Sequence, residues 1–207
     1  MSPRRAAALR GGDRTLREHL IGTAERLIAE RGTAGLTVRT IAREAGVADG
    51  VLYNHFADKE ELLALALRAH AVAVRRGLPA LPVPGEGTVE ANLRAHIEHG
   101  TALHARLLPA LAGLVGRPEV LARFAALDDP DVNWRDRLGA YLRAERDLGR
   151  LPADARVDAA TAMIVGVCHE PVLSALLGGG DAGAARSASP GMIDDLVATV
   201  LYGLAPR

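Results

Sequence analysis

The segment Leu36–Leu63, LTVRTIAREAGVADGVLYNHFADKEELL, leaves the backbone few options. Behind Thr37, whose hydroxyl suits a helix N-cap, Val38, Ile41, Ala42 and Ala45 recur at helical spacing and give one apolar face. Gly46 then supplies the left-handed closing residue, and Val47 can drop into the core behind the turn. A brief second helix is expected from Ala48 to about His55. It turns Val51, Leu52 and Phe56 inward and leaves Asp49, Tyr53, Asn54 and His55 outside. Asp58, with Glu61 three residues on, makes a capping-box start for a longer helix carrying Leu62, Leu63, Ala66 and Leu67.

Two helices around a glycine-containing turn, the second short and polar outside, have the layout of a helix-turn-helix, although an ordinary helical hairpin shares it. The residue wording is more specific. A helix ending in AERGTAGLTV, then IA-x-x-AGV, G-x-LY-x-HF and K-E-x-L, between about Ile21 and Leu67, resembles the N-terminal domain of the tetracycline-repressor (TetR) family of bacterial transcription regulators. The remaining two-thirds is similar to that family only in layout. The resemblance implies that Thr37 and Arg39 sit near the DNA backbone and groove edge. Asp49, Gly50, Val51 and Asn54 would face the bases, Gly50 allowing close approach. Tyr53, His55 and Lys59 would hold phosphates, Lys59 from a helix N-terminus, the alternatives being Tyr53 as partly core and His55 as a brace for the turn into the next helix. Two positions depart from the pattern. Ala48 stands where the family commonly has a capping Ser or Thr, a loss of ~1 kcal/mol. Asp49 suits a helix N-terminus but repels phosphate, so it either turns away or accepts from a cytosine amino group.

Composition is compatible with this. In 207 residues, 49% are hydrophobic and only 3% aromatic, the apolar mass being the Ala, Leu and Val of helix packing. Net charge is zero. Residues 1–60 hold 10 Lys+Arg against 8 Asp+Glu and the remainder 15 against 17, so DNA affinity must come from local placement rather than bulk basicity. The single cysteine, Cys168, excludes an internal disulfide and a thiolate metal cluster, which suits a reducing cytoplasm. No apolar stretch is expected to reach the roughly 20 residues that span a bilayer, so no membrane partner is expected.

Residues 1–12 read as an arm in which Arg4, Arg5 and Arg10 are candidates for DNA phosphate, a plain tail being the alternative. A first helix runs from Asp13 to Arg31 with the stripe Leu16, Leu20, Ala24, Leu27 and Ile28. Arg14, Arg17, Arg26 and Arg31 lie off that stripe as possible phosphate contacts. The helix after Asp58 runs to about Arg76. GLPALPVPGEG (77–87), with three prolines and three glycines, then reads as a linker between a DNA-binding domain, 13–76 (helix-turn-helix about 37–56), and a C-terminal domain, 88–207.

In that second domain Val89–Leu108 is helical. His96, His99 and His104 lack a metal-ligand spacing, so no metal is expected. Pro109 and Pro118 bracket a short helix around LAGLVG, and Pro118 opens another to about Leu127. Asp128, Asp129 and Asp131 lead into a helix from Val132 to Leu148. Trp134, Leu138 and Tyr141 lie along one face of it, as pocket lining or as plain core. With His96, His104 and His169 they form the candidate ligand pocket. Asp158–Leu177 is apolar on all sides, with a kink expected at Pro171. GGGDAG (178–183) is read as a loop, since no strand precedes it as a dinucleotide site requires. Ser189 caps a last helix with Pro190 at its first position.

The family resemblance implies that these last two helices pair with their copies in a dimer. The candidate contacts are Ala162, Met163, Val165, Gly166 and Leu173 on one, and Ile193, Val197, Val200, Leu201 and Leu204 on the other. No G-x-S-x-G, H-E-x-x-H or phosphate-binding G-K-[ST] occurs. The expectation is an all-helical, cytoplasmic, homodimeric regulator, not an enzyme and without a cofactor. A small, mainly apolar ligand would release it from a double-stranded DNA operator. An activator or ligand-independent regulator of the same fold, or a helical small-molecule-binding protein with a degenerate helix-turn-helix, are the alternatives.

Overall fold

The computed structural model describes residues 16–33, 35–127, 133–178 and 190–203. The expected arm, the start of the first helix at Asp13, Arg14, the acidic turn at 128–131, the loop at 179–183, the Ser189 cap and Leu204 lie outside them. The fold is all-α. Among the described residues it comprises α1 (Leu16–Arg31), α2 (Val38–Ala45), a 3-10 helix (Asp49–Asn54), α3 (Lys59–Arg76), α4 (Val89–Ala112), α5 (Pro118–Ala126), α6 (Trp134–Asp147), α7 (Val157–Leu177) and α8 (Pro190–Tyr202). The chain forms two compact units. One extends to Ala73 and also takes the segment from Ala110 that includes α5; the other comprises Val74–Pro109 and the helices α6 to α8.

In the N-terminal unit, Leu20, Ala24, Leu27 and Ile28 of α1 are buried with Ile41, Ala42, Leu52, Phe56, Leu62 and Leu67. Gly32 closes α1 at φ 68°, its N–H reaching the Ile28 carbonyl at 2.9 Å. The Thr33 hydroxyl donates to the Ala110 carbonyl at 2.8 Å, a buried tie across 77 residues of sequence. Gly46, at φ 72°, closes α2.

The short second element differs from expectation. It is a 3-10 helix of six residues instead of an α-helix from Ala48 to His55. Ala48 makes no side-chain cap, and Val51 N–H closes onto the Ala48 carbonyl at 2.9 Å, the i→i+3 bond that tightens a helix end when nothing else satisfies it.

Three further expectations change in the C-terminal half. Residues 77–87 make bonds inside the second unit: Gly85 N–H donates to Glu145 at 3.2 Å, and the Pro79 carbonyl lies 3.1 Å from His99 Nδ1. Leu78 and Leu81 pack on that unit's core. Prolines and glycines mark irregular backbone, which here is still packed. Second, α4 runs through Pro109 to Ala112, so no separate helix forms around LAGLVG. A proline removes one N–H, which a 24-residue helix absorbs near its end. Third, α7 has 21 residues, 18 of them in a stretch of mean hydropathy 1.6, long and apolar enough by those measures to cross a membrane, against the expectation of none. Only Asp158 and Glu170 in it are charged. Its Val157, Ile164, Val165 and Cys168 pack into the core of the second unit with Leu93, Ile97, Trp134, Leu138, Tyr141 and Ile193.

Candidate nucleic-acid interface

Three local devices build the helix-turn-helix. The Thr37 hydroxyl accepts the Thr40 N–H at 3.1 Å and sets the start of α2. Gly46 N–H reaches the Ala42 and Arg43 carbonyls, and Val47 N–H bonds Ala42 at 3.0 Å, so the turn leaves α2 with its last carbonyls satisfied. Asp58 Oδ1 accepts the Glu61 N–H at 2.9 Å, and Glu61 Oε2 reaches back to the Ala57 N–H at 2.7 Å. That bond from Glu61, followed by Arg123, holds the Asp58 carboxyl below the usual carboxylate range.

With the frame set, the candidate contacts fall on one short stretch of surface. Thr37, Arg39, Asp49, Gly50, Asn54 and Lys59 are exposed, and Tyr53 is 61% exposed, so Tyr53 is not core. Val51 and His55 are half-buried. His55 gives its carbonyl to Arg17 at 3.3 Å, a bracing part alongside any phosphate contact. A side chain at Gly50 would meet nothing within 4 Å, so the surface there is open to a close approach. Arg39 Nε lies 3.4 Å from Asp49 Oδ2, which answers where Asp49 turns: toward the arginine of the preceding helix. Both are largely solvent-exposed, so the pair is weak and can be exchanged for phosphate or base.

The described α1 arginines make ion pairs within their own unit. Arg17 donates to Glu61 at 2.7 Å and its guanidinium lies 5.0 Å over the Phe56 ring. Arg26 bonds Glu30 at 2.9 Å and approaches Glu44 at 3.5 Å, while Arg31 approaches Glu44 at 3.9 Å. Two arginines with no local signal were missed. Arg123 of α5 grips Asp58 with two bonds of 2.6 and 2.7 Å, and Arg117 lines a cavity with Arg39, Tyr53 and Lys59. Neither lies within 50 residues of its partners.

In the second unit the candidate pocket residues do come together. The His96 ring lies 4.4 Å from Tyr141, tilted by 40°, and His104 lies 5.2 Å from Trp134 and 4.2 Å from His169, edge to face. Leu138 is fully buried. Burial, followed by His99 and Arg137, pushes His96 down to about 4; burial and then His169 push His104 down to about 4. Burial also raises Tyr141 above its ordinary value, with Glu145 adding to it. Both ring nitrogens of His96 and the Trp134 Nε1 lack hydrogen-bond partners among the described residues. Those three histidines and the neighbouring His99 form no metal cluster among the described residues.

Of the candidate dimer contacts, Ala162, Met163, Gly166 and Leu173 are exposed on α7, Met163 at 49% and Leu173 at 44%. Val165, Ile193 and Val197 are instead buried in their own unit, with Val200 and Leu201 packed partly against them. Side chains that complete one helix's core contact cannot also face outward.

Residues 20–66 match the N-terminal domain of bacterial regulatory proteins of the tetR family. Over that segment the chain is similar to the TetR family's N-terminal domain. Over 82 residues, 40% of this chain and 41% of the relative, it is 32% identical to the HTH-type transcriptional repressor NemR of Escherichia coli (strain K12). Over 52 residues, 25% of this chain and 26% of the relative, it is 48% identical to the repressor KstR2 of Mycobacterium tuberculosis (strain CDC 1551 / Oshkosh). The chain therefore spans less than half the length of these relatives, and the likeness is that of the TetR-type domain. The fold extends further. The TetR family transcription regulator SCO0332 superposes with a TM-score of 0.63 over 92% of this chain and 99% of that one, at 24% identity. The fatty acid degradation regulator FadR from Bacillus halodurans does so at 0.60 over 95% and 100%, at 20% identity.

Proposed function

We propose that this protein is a DNA-binding transcriptional regulator and not an enzyme: a homodimeric repressor working in the cytoplasm and released from its operator by a small, mainly apolar ligand. The observation that carries the reading is the capped helix-turn-helix, which presents Thr37, Arg39, Asp49, Gly50, Tyr53, Asn54 and Lys59 together on the surface of a unit matched by the TetR family. NemR and KstR2, whose domains it resembles, are named repressors, which supports the sign of regulation. The two copies would place their recognition elements in successive major grooves, about 34 Å apart. The exposed α7 residues Met163, Leu173 and Leu177 support pairing with a second copy, since apolar side chains at helical spacing need cover.

The ligand would lie among His96, His104, Trp134, Leu138, Tyr141 and His169. The unpartnered nitrogens of His96 and Trp134 support that placement, because a buried polar atom left without a hydrogen bond costs about 1–3 kcal/mol. A FadR from Bacillus subtilis was solved with stearoyl-CoA, an acyl ligand on the same fold, which is consistent with an apolar effector here. To exchange a 99:1 population for its reverse, the ligand must prefer the released state by about 5.5 kcal/mol.

The test is binding to DNA from the protein's own promoter region at two salt concentrations, with Tyr53→Phe and Lys59→Ala alongside. Both substitutions should weaken specific binding. Lys59→Ala should also flatten the plot of log K against log salt by about 0.9, one phosphate contact. Affinity no better than for random DNA, both there and after selection from a random-sequence pool, would sink the reading.

A further inference from the structure

A cavity of about 270 Å³ opens in the N-terminal unit beside the starts of α2 and α3. Three of the side chains lining it are cationic, Arg39, Lys59 and Arg117, and two carry hydroxyls, Thr37 and Tyr53; none is acidic. Arg117 stands out among the three cations. Arg39 is paired with Asp49 at 3.4 Å and Lys59 lies 3.5 Å from Glu60, whereas no carboxylate among the described residues pairs with Arg117. It is half-buried beside that cavity.

Arg117 immediately precedes α5, and Arg123 of that helix makes its two-pronged pair with Asp58, the residue before Lys59. An arginine more than 50 residues beyond the helix-turn-helix thus lines the same cavity as the lysine that starts α3.

We propose that Arg117 is a further contact to the DNA backbone, its guanidinium joining Lys59 and Tyr53 around one phosphodiester group seated at this cavity. The inference rests on the DNA-binding reading above. A guanidinium fork matches two phosphate oxygens, which the lysine ammonium cannot do alone. Arg117 lies outside the recognition element, so its contact adds affinity and register and carries no base preference.

The experiment uses the full-length protein and the labelled duplex that the wild type enriches from random-sequence DNA, titrated between about 50 and 200 mM salt. Arg117→Gln and Arg117→Met, the second keeping the packing of the aliphatic stem, are compared with Arg135→Gln, which removes a charge from an exposed site in the other unit. Each Arg117 variant should lose roughly fivefold to tenfold in affinity near 0.1 M salt and about 0.9 from the slope, equally on single-base variants of the duplex. Arg135→Gln should match the wild type, and melting curves of all four should coincide. Wild-type slopes in Arg117→Met, or the same loss in Arg135→Gln, overturn the proposal. Failure of the wild type to enrich any duplex removes the DNA-binding reading itself, a separate result.

Discussion

Two buried histidines, one in each unit, sit in opposite electrostatic situations. His70 of the N-terminal unit is 7% exposed and has the Glu25 carboxylate 3.5 Å from its Nδ1. His96 of the C-terminal unit is 1% exposed, with both nitrogens unpartnered among the described residues and with burial, then His99 and Arg137, disfavouring a proton on it. The N-terminal unit places charges in pairs at its surface. The C-terminal unit buries polar rings and keeps them neutral.

Acid should separate the units most strongly. With His96 and His104 near 4 in the folded chain against 6.5 unfolded, the unfolded state takes up protons first as pH falls. The C-terminal unit should therefore lose stability between about pH 6.5 and 4, by about 3 kcal/mol per imidazole, and be indifferent above pH 7. Urea unfolding followed by Trp134 fluorescence at pH 7, 5.5 and 4.5 reads this directly. His96→Gln should flatten the trend, and an unchanged pH dependence in that variant would remove His96 as its source.

Next in size is a pair of glycines. A Cβ at Gly100 would lie 2.3 Å from the Trp134 ring, so Gly100→Ala should cost about 2–3 kcal/mol by overpacking. At Gly50 a Cβ meets nothing, so Gly50→Ala should stay within about 0.5 kcal/mol while still obstructing a close approach to DNA. Thermal melts of the two variants decide it; equal losses would dissolve the contrast. Smallest, Asp58→Ala should cost about 1 kcal/mol through the lost α3 cap, with little added by its exposed pair with Arg123. A loss several times larger would mean that the Arg123 pair is a structural strut.

The two halves were unequally legible in sequence for a physical reason. Thr37, Gly46 and the Asp58/Glu61 pair act on backbone groups within four residues, so spacing alone reveals them. The face shared by Trp134, Leu138 and Tyr141 was visible from helical periodicity. Glu145 was not: it reads as a solvated charge on a helix, yet it is fully buried, 3.2 Å from Arg150 and bonded to Gly85 across 60 residues. Arg117 and Arg123 escaped in the same way, because nothing local distinguishes a surface arginine from one aimed at a distant segment. At Ala48, the missing cap was legible and its outcome, a 3-10 helix, was not.

Cys168 is the protein's one thiol. It is fully buried, 3.6 Å from the Thr101 hydroxyl and 3.7 Å from the Ile97 carbonyl, and burial lifts it to about 11. A maleimide therefore finds neither access nor thiolate until α7 parts from α4. The unmodified protein thus carries its own stopwatch: labelling kinetics at this single atom time each breath of the C-terminal core, and an occupant that fills that core should slow the clock.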